Sequence, residues 1–272
     1  MSETTAGQAP VAQLVAPLRA QPDAAAVLCD VDGTLAPIVA RPEQAAVPAE
    51  ARELLSELAR RYALVACVSG RRAPAARELV GLDELTYIGN HGYERVGPGT
   101  TEPVPDPAVA GRAARAADFV SGLDWTRLES LGIRREDKGP IQALHWRGAA
   151  QDAAAEMAVR EVAALAQSSD LIPRWGRKVL EVRPVAGIDK GSAVHRLLRE
   201  SDGVSAALYA GDDRTDLDAF RALRWLAGSG RLGAAVTVGV ASDEGPPEIR
   251  AEADLVVDGP EGMLEVLREL AD

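Results

Sequence analysis

Residues 25–35 read Ala-Ala-Val-Leu-Cys-Asp-Val-Asp-Gly-Thr-Leu, and this stretch constrains the rest of the chain. A short apolar run stops at two aspartates two residues apart, and glycine and threonine follow at once. A run of this length, apolar without alternation and bounded by a breaker, reads as a strand buried on both faces of a parallel sheet. In an open α/β sheet the carboxyl end of such a strand is where ligands bind. Asp30 and Asp32 therefore fall where chemistry takes place. Burying either carboxylate is costly without a cation or a hydrogen-bond donor.

The same pattern recurs. The apolar run 63–68 ends abruptly at Ser69-Gly70-Arg71-Arg72, and the run 206–210 ends at Gly211-Asp212-Asp213-Arg214-Thr215-Asp216. Lys190 follows Gly187-Ile188-Asp189, just ahead of a helix. Further strands are expected at 87–88, 235–240 and 255–257. Helices are expected at 11–19, 50–62, 74–80, 192–200, 217–226 and 262–270, the second carrying Leu54, Leu55 and Leu58 at helical spacing. Strands alternating with helices imply an α/β fold with a doubly wound, mostly parallel, Rossmann-like sheet.

Between these halves the pattern changes. Residues 97–107 are rich in glycine, proline and threonine and read as a linker. An alanine-rich helix over 108–123 follows, then a strand pair at 133–138 and 141–147 turned at Gly139-Pro140. A second alanine-rich helix over 151–167 precedes strands at 171–175 and 179–183. The order suggests an α+β unit on an antiparallel sheet. The expected organisation is a core of residues 10–105 and 187–272 with an inserted unit at 106–186. Trp125, Trp146, Trp175 and Trp225 read as packing residues, and residues 1–9, small and polar, as unstructured.

Composition narrows the partners. The formal net charge of the 272 residues is −11, which argues against nucleic acid and against anionic membrane surfaces. An anionic small substrate stays open, because a metal or a local group of cations reverses the field inside a cleft. Cys29 and Cys67, the only cysteines, lie in apolar runs and read as reduced, buried thiols. No apolar run is long enough to span a bilayer, and no basic region followed by an apolar core opens the chain. The expectation is a monomeric cytoplasmic protein.

In a doubly wound sheet Asp30/Asp32, Ser69, Lys190 and Asp212/Asp213/Asp216 converge at one edge. Several carboxylates, a hydroxyl and an ammonium suit a hard divalent cation, with Mg²⁺ the best fit, and a phosphoryl group as its counter-charge. In that chemistry Asp30 attacks phosphorus. Asp32 protonates the leaving alcohol and later activates water. Ser69 holds phosphoryl oxygens, Lys190 balances charge in the transition state, and Gly33 lets the chain turn tightly.

Asp-Val-Asp-Gly-Thr-Leu at 30–35, Ser69, Lys190 and Gly-Asp-Asp at 211–213 resemble, in order, the four motifs of the haloacid dehalogenase-like (HAD) phosphohydrolase superfamily. The insertion between Ser69 and Lys190 resembles that superfamily's second cap position. A narrower resemblance joins Gly89-Asn90-His91-Gly92, Glu136-Asp137-Lys138, Leu144-His145-Trp146-Arg147 and residues 178–184, Lys-Val-Leu-Glu-Val-Arg-Pro, to the trehalose-6-phosphate phosphatase family. One departure is Leu217, where that family often has an acidic residue.

The resemblance implies a Mg²⁺-dependent phosphatase acting on a sugar phosphate, trehalose 6-phosphate. Asp30, Asp212 and the backbone carbonyl of Asp32 would hold Mg²⁺, while Asp213 and Asp216 would orient metal-bound water and Lys190. Thr34, Arg71, Asn90, His91 and Gly92 would line the substrate site, and Glu136, Lys138, Arg147, Lys178 and Glu181 would grip the sugar. The core motifs equally suit another sugar-phosphate phosphatase or a phosphomutase of the superfamily. They also suit a non-catalytic sugar-phosphate sensor on the same fold.

Overall fold

The computed structural model describes residues 10–39, 44–109, 111–176, 178–184, 187–242 and 245–272. The nine N-terminal residues read above as unstructured lie outside these. Strand β1 (Ala25–Cys29) is buried along its whole length. Its side chains alternate between two apolar clusters: Ala25, Val27 and Cys29 enter one, Ala26 and Leu28 the other. A strand covered on both faces has no solvent side, which is why its run is apolar without interruption.

Strands β2 (Leu64–Val68) and β10 (Ala206–Gly211) flank β1, both parallel to it, with Cys29 opposite Cys67 on one side and Ala210 on the other. Strands β11 (Ala234–Ala241) and β12 (Leu255–Asp258) continue beyond β10, again parallel. On the other side lie β3 (Thr86–Gly89), parallel to β2, and β4 (Glu94–Val96), antiparallel to β3. With β5 (Val104–Pro105) the described strands make an eight-stranded sheet of order β12-β11-β10-β1-β2-β3-β4-β5. Successive strands run outward from β1 in one direction and outward from β10 in the other. The β1/β10 junction is thus a switch point, where a crevice opens at the carboxyl ends of the strands.

Helices cover both faces. Helices α1 (Val11–Ala20), α2 (Ala49–Arg61), α3 (Ala73–Val80) and α10 (Gly259–Ala271) supply the cluster that takes Val27. Ala51, Leu55 and Leu58 of α2 are its buried stripe, spaced by four and three residues as one helix face requires. Helices α7 (Lys190–Glu200), α8 (Asp216–Gly228) and α9 (Pro247–Glu252) supply the cluster that takes Leu28. Both cysteines are buried and unpaired. Among the described residues no helix is long and apolar enough to cross a membrane.

The chain forms two compact units: residues up to Val104 together with Ile188–Asp272, and Pro105–Gly187. In the second, strands β6 (Arg134–Lys138), β7 (Ile141–His145), β8 (Ile172–Gly176) and β9 (Val179–Arg183) form an antiparallel sheet of order β6-β7-β9-β8. Helices α4 (Ala114–Ser121), α5 (Trp125–Ser130) and α6 (Asp152–Ser168) accompany it. Leu144, Leu180 and Val182 pack against Ala116, Val120, Val159 and Val162. The residues that alternate with them face away from the helices.

Several sequence expectations need correction. The helix expected over 108–123 is confined to α4, because Gly111 sits at φ +77°, outside the helical region. A further helix, α5, follows, capped by Asp124, whose side chain accepts the Arg127 N–H at 3.1 Å. The linker at 97–107 contributes β5 to the sheet edge, and β4 and α9 carry too few periodic residues to be anticipated. Trp146 is buried, but Trp175 and Trp225 are 44% and 61% exposed. Trp225 rests edge-on against His195 with ring centroids 5.0 Å apart, and Trp175 lies against Trp146 beneath the Arg160 guanidinium.

Candidate active site

Asp30 follows the last residue of β1. Its N–H continues the parallel ladder to the Ala210 carbonyl at 2.8 Å, which fixes the carboxylate at the strand end. Lys190 opens α7, and its Nζ lies 2.8 Å from both Asp30 Oδ1 and Asp216 Oδ1. The Asp189 side chain caps that helix on the Ser192 N–H, and the Ser192 hydroxyl accepts the Asp189 N–H in return. This reciprocal cap fixes the register that aims Lys190 inward. Its side chain is 2% exposed.

Asp216, fully buried at the start of α8, accepts four hydrogen bonds. Lys190 Nζ (2.8 Å) and the Tyr209 hydroxyl (2.6 Å) reach Oδ1, and the N–H groups of Asp212 (3.1 Å) and Asp213 (3.0 Å) reach Oδ2. Asp212 Oδ1 accepts the Thr34 hydroxyl at 3.2 Å. Gly33 turns at φ +91°, and a Cβ there would stand 2.1 Å from Asp212 Oδ2. Only glycine fits that approach.

Among the described residues, Asp30, Asp212 and Asp216 each bring a carboxylate oxygen within 4.8 Å of the others. Burial pushes Asp30 up to about 8, with the charges of Asp212 and Asp213 adding to the shift and Lys190 opposing it. Burial also pushes Asp212 up to about 7, helped by Asp216 and Asp213, and Asp216 up to about 8 against the pull of Lys190. For Lys190 burial works the other way, but Asp216 and Asp30 outweigh it and hold the ammonium charged. Three buried carboxylates against one ammonium leave the cluster short of positive charge. An all-oxygen donor set with that deficit fits a hard divalent cation. Asp216 is already satisfied by four donors, so Asp30 and Asp212 are the oxygens such a cation would draw on.

Asp32 stands apart from this cluster. Its side chain is 38% exposed, and Arg71 grips it fork-to-fork, Nε to Oδ2 at 2.7 Å and Nη2 to Oδ1 at 2.6 Å. Ser69, fully buried, donates its N–H to the Ile88 carbonyl, and its hydroxyl accepts the Arg71 N–H at 3.1 Å. The loop after β3 is laced to this segment: His91 N–H donates to the Ser69 carbonyl at 3.0 Å and Asn90 N–H to the Arg71 carbonyl at 2.7 Å. Asn90, His91 and Gly92 all have positive φ, a conformation that is costly for the two non-glycine residues. The structure thus brings Asp30, Thr34, Lys190, Asp212 and Asp216 into one buried network. Asp32, Ser69, Arg71, Asn90 and His91 form the adjoining loops. Asp213 sits at the rim of this network, its Oδ1 accepting both the N–H (2.7 Å) and the hydroxyl (2.6 Å) of Thr215, while its charge still acts on Asp30 and Lys190.

In the second unit Lys138 and Glu181 meet at 3.1 Å. Glu136 pairs with His145 at 2.7 Å, a bond that holds its carboxyl below the usual range. Lys178 is elsewhere, paired with Asp152 at the start of α6. Arg147 lines a separate cavity of about 640 Å³ with Glu129, Arg134 and Arg135.

Two residues were missed by sequence reasoning. Tyr209 carried a signal: a phenol within the all-buried run Ala-Ala-Leu-Tyr-Ala-Gly needs a buried partner. Arg183 lay within the stretch 178–184 that carries the family resemblance but was given no role, because an arginine at a strand end reads as solvated.

A family model described as trehalose-phosphatase matches residues 28–255. A trehalose-phosphate phosphatase of Mycobacterium avium (strain 104) is 34% identical over 209 residues, covering 73% of this chain and 51% of that protein. The chain therefore spans about half the length of this curated relative. The crystal structure of a trehalose-6-phosphate phosphatase related protein superposes with a TM-score of 0.67 at 26% identity, covering 90% of this chain and 96% of that one. A haloacid dehalogenase-like hydrolase from Bacteroides thetaiotaomicron shares the fold, with a TM-score of 0.57 at 16% identity and coverage of 89% and 98%.

Proposed function

Because the chain belongs to the trehalose-phosphatase family, we propose that it hydrolyses trehalose 6-phosphate to trehalose and inorganic phosphate through an aspartyl-phosphate on Asp30. The observation that carries this reading is the Lys190 ammonium held 2.8 Å from both Asp30 and Asp216, with Asp212 beside them. A nucleophilic carboxylate, a fixed cation and an oxygen set suited to a metal are the groups that phosphoryl transfer asks for.

A carboxylate oxygen of Asp30 attacks phosphorus, and the bond from phosphorus to the sugar oxygen breaks as the new one forms. Asp32 supplies the proton that the leaving oxygen takes up. Water then gives that proton position back to Asp32 as it attacks phosphorus, and phosphate leaves with Asp30 restored. Arg71 must release Asp32 for this exchange, and an arriving phosphoryl dianion offers the guanidinium a new bidentate partner. Lys190 holds Asp30 in place and balances its charge. Mg²⁺, held by Asp30, Asp212 and the carbonyl of Asp32, would neutralise phosphoryl charge. Residues 106–186 act as the sugar-binding cap in this reading, with Glu136, Lys138, Arg147, Lys178 and Glu181 as its polar contacts.

The test is phosphate release from trehalose 6-phosphate with Mg²⁺ and with chelator. Release that needs Mg²⁺, and that exceeds release from sucrose or mannose phosphates, is expected. Equal turnover of all three sugar phosphates would rule out the substrate assignment, and turnover indifferent to chelation would rule out the metal.

A further inference from the structure

The antiparallel sheet of Pro105–Gly187 turns one face to its helices and carries charge on the other. The strand register sets Glu136, Ala143, Glu181 and Arg174 in one row across the four strands. Residues directly opposite across an antiparallel ladder share a face, so β7 contributes only a methyl group to the middle of a row of long charged side chains. From the next row, where it stands opposite Ile141, Lys138 of β6 reaches diagonally past that low point to Glu181 of β9, Nζ to Oε1 at 3.1 Å. Ala143 itself is fully buried beneath these side chains.

The second oxygen of Glu181 is held differently. Arg183, two residues along β9 and on the same face, donates from Nε at 3.1 Å and from Nη2 at 2.6 Å to Oε2. The Arg183 side chain is 4% exposed, against 12% for Glu181 and 17% for Lys138. A guanidinium so enclosed is placed to hold a neighbour. Both Glu181 oxygens are thus held by cations on a sheet, with little rotamer freedom left. A glutamate that is free in solution loses that freedom when it grips a ligand, at a cost in affinity, whereas one fixed in folding does not.

We infer that Arg183 is a positioning residue for sugar recognition. It fixes the Glu181 carboxylate in the orientation that receives a sugar hydroxyl, and Ala143 leaves the gap through which Lys138 completes the clamp. The inference rests on the reading of the protein as a trehalose-6-phosphate phosphatase with its sugar contacts on this face. It adds to that reading the device that sets the strength of the contact.

The experiment measures kcat and KM of the whole chain for trehalose 6-phosphate and for phenyl phosphate, which lacks the sugar. In Arg183→Gln the KM for trehalose 6-phosphate is expected to rise about tenfold or more, while its kcat falls by less than about threefold. The preference for trehalose 6-phosphate over phenyl phosphate, as a ratio of kcat/KM, falls correspondingly. Arg183→Lys, which keeps the charge and loses the fork, should recover part of the preference. If Arg183→Gln lowers turnover of both substrates in step, the residue is structural and the inference fails. It also fails if neither parameter moves. Should the glutamine variant not fold, Ala143→Leu fills the gap under Lys138 with Arg183 in place. The same fall in preference is expected there, and an unaltered preference overturns the clamp. A wild-type chain with no preference for trehalose 6-phosphate defeats the reading of the function itself. A wild-type preference that survives both variants defeats only the clamp.

Discussion

The two charged clusters of this chain are built on opposite principles. At the carboxyl ends of β1 and β10, Asp30, Asp212, Asp216 and Lys190 are all at most 4% exposed, and backbone amides, a phenol and an ammonium hold them. On the open face of the antiparallel sheet, Glu136, His145 and Lys138 are half-buried or exposed, and the bonds run side chain to side chain, His145 with Glu136 and Lys138 with Glu181. Burial makes each charge in the first cluster expensive, so its geometry is over-determined and suited to one kind of bond-making. Exposure makes each charge in the second inexpensive, so that face is free to match a particular ligand. Only its most enclosed member, Glu181 with Arg183, approaches the rigidity of the core.

Substitutions that fall on one side only are the way to break this comparison. Asp30→Asn should produce the largest effect. Phosphate release from trehalose 6-phosphate and from phenyl phosphate should both fall at least about 1000-fold, since the nucleophile is lost for any substrate. Unequal losses for the two substrates would show that the core also selects. Gly33→Ala comes next. A Cβ 2.1 Å from Asp212 Oδ2, on a backbone at φ +91°, displaces that carboxylate. Activity should drop about 100-fold, with a higher Mg²⁺ concentration needed for half-maximal rate. Equal losses for both substrates would again mark it as a core effect.

Glu181→Gln lies on the other side. It should raise KM for trehalose 6-phosphate about tenfold and lower the preference over phenyl phosphate by a similar factor. A matching loss on phenyl phosphate would erase the distinction between the two clusters. Tyr209→Phe sharpens the comparison with the smallest change. It removes one hydrogen bond to Asp216 while keeping the ring that packs edge-on against Phe220. Thermal unfolding should show a loss of about 1–3 kcal/mol, and kcat should fall only a few-fold on either substrate. A loss as great as that of Asp30→Asn would mean that Tyr209 takes part in the chemistry directly.

Much of the core was legible from its strands. Residues 25–29, 64–68 and 206–211 are apolar throughout because both faces are covered, and each stops where the chain must meet polar ligands. Helix α2 was announced by the helical spacing of Leu54, Leu55 and Leu58, and α7, α8 and α10 were expected over 192–200, 217–226 and 262–270. The helix expected over 108–123 failed because alanine-rich composition does not reveal that Gly111 takes a positive φ. Trp175 and Trp225 misled because tryptophan is usually packed, and here each packs on one face only. The fork between Arg71 and Asp32 joins residues 39 positions apart, so no local pattern announces it. Nor does anything local show that Arg183 turns back onto Glu181.

By itself, then, the sequence determined which residue types stand at the ends of which strands, because a strand covered on both faces tolerates polar groups only where it ends. It also determined that a differently patterned segment interrupts the α/β halves. Tertiary structure alone decided how those groups are partnered. It set Lys190 between Asp30 and Asp216, turned Asp213 toward Thr215, clamped Asp32 with Arg71, and enclosed Arg183 against Glu181. The physical reason is range. Periodicity is written by neighbours within a few positions, whereas the partner of a buried charge is whichever group the packed chain brings within about 3 Å, however distant in sequence.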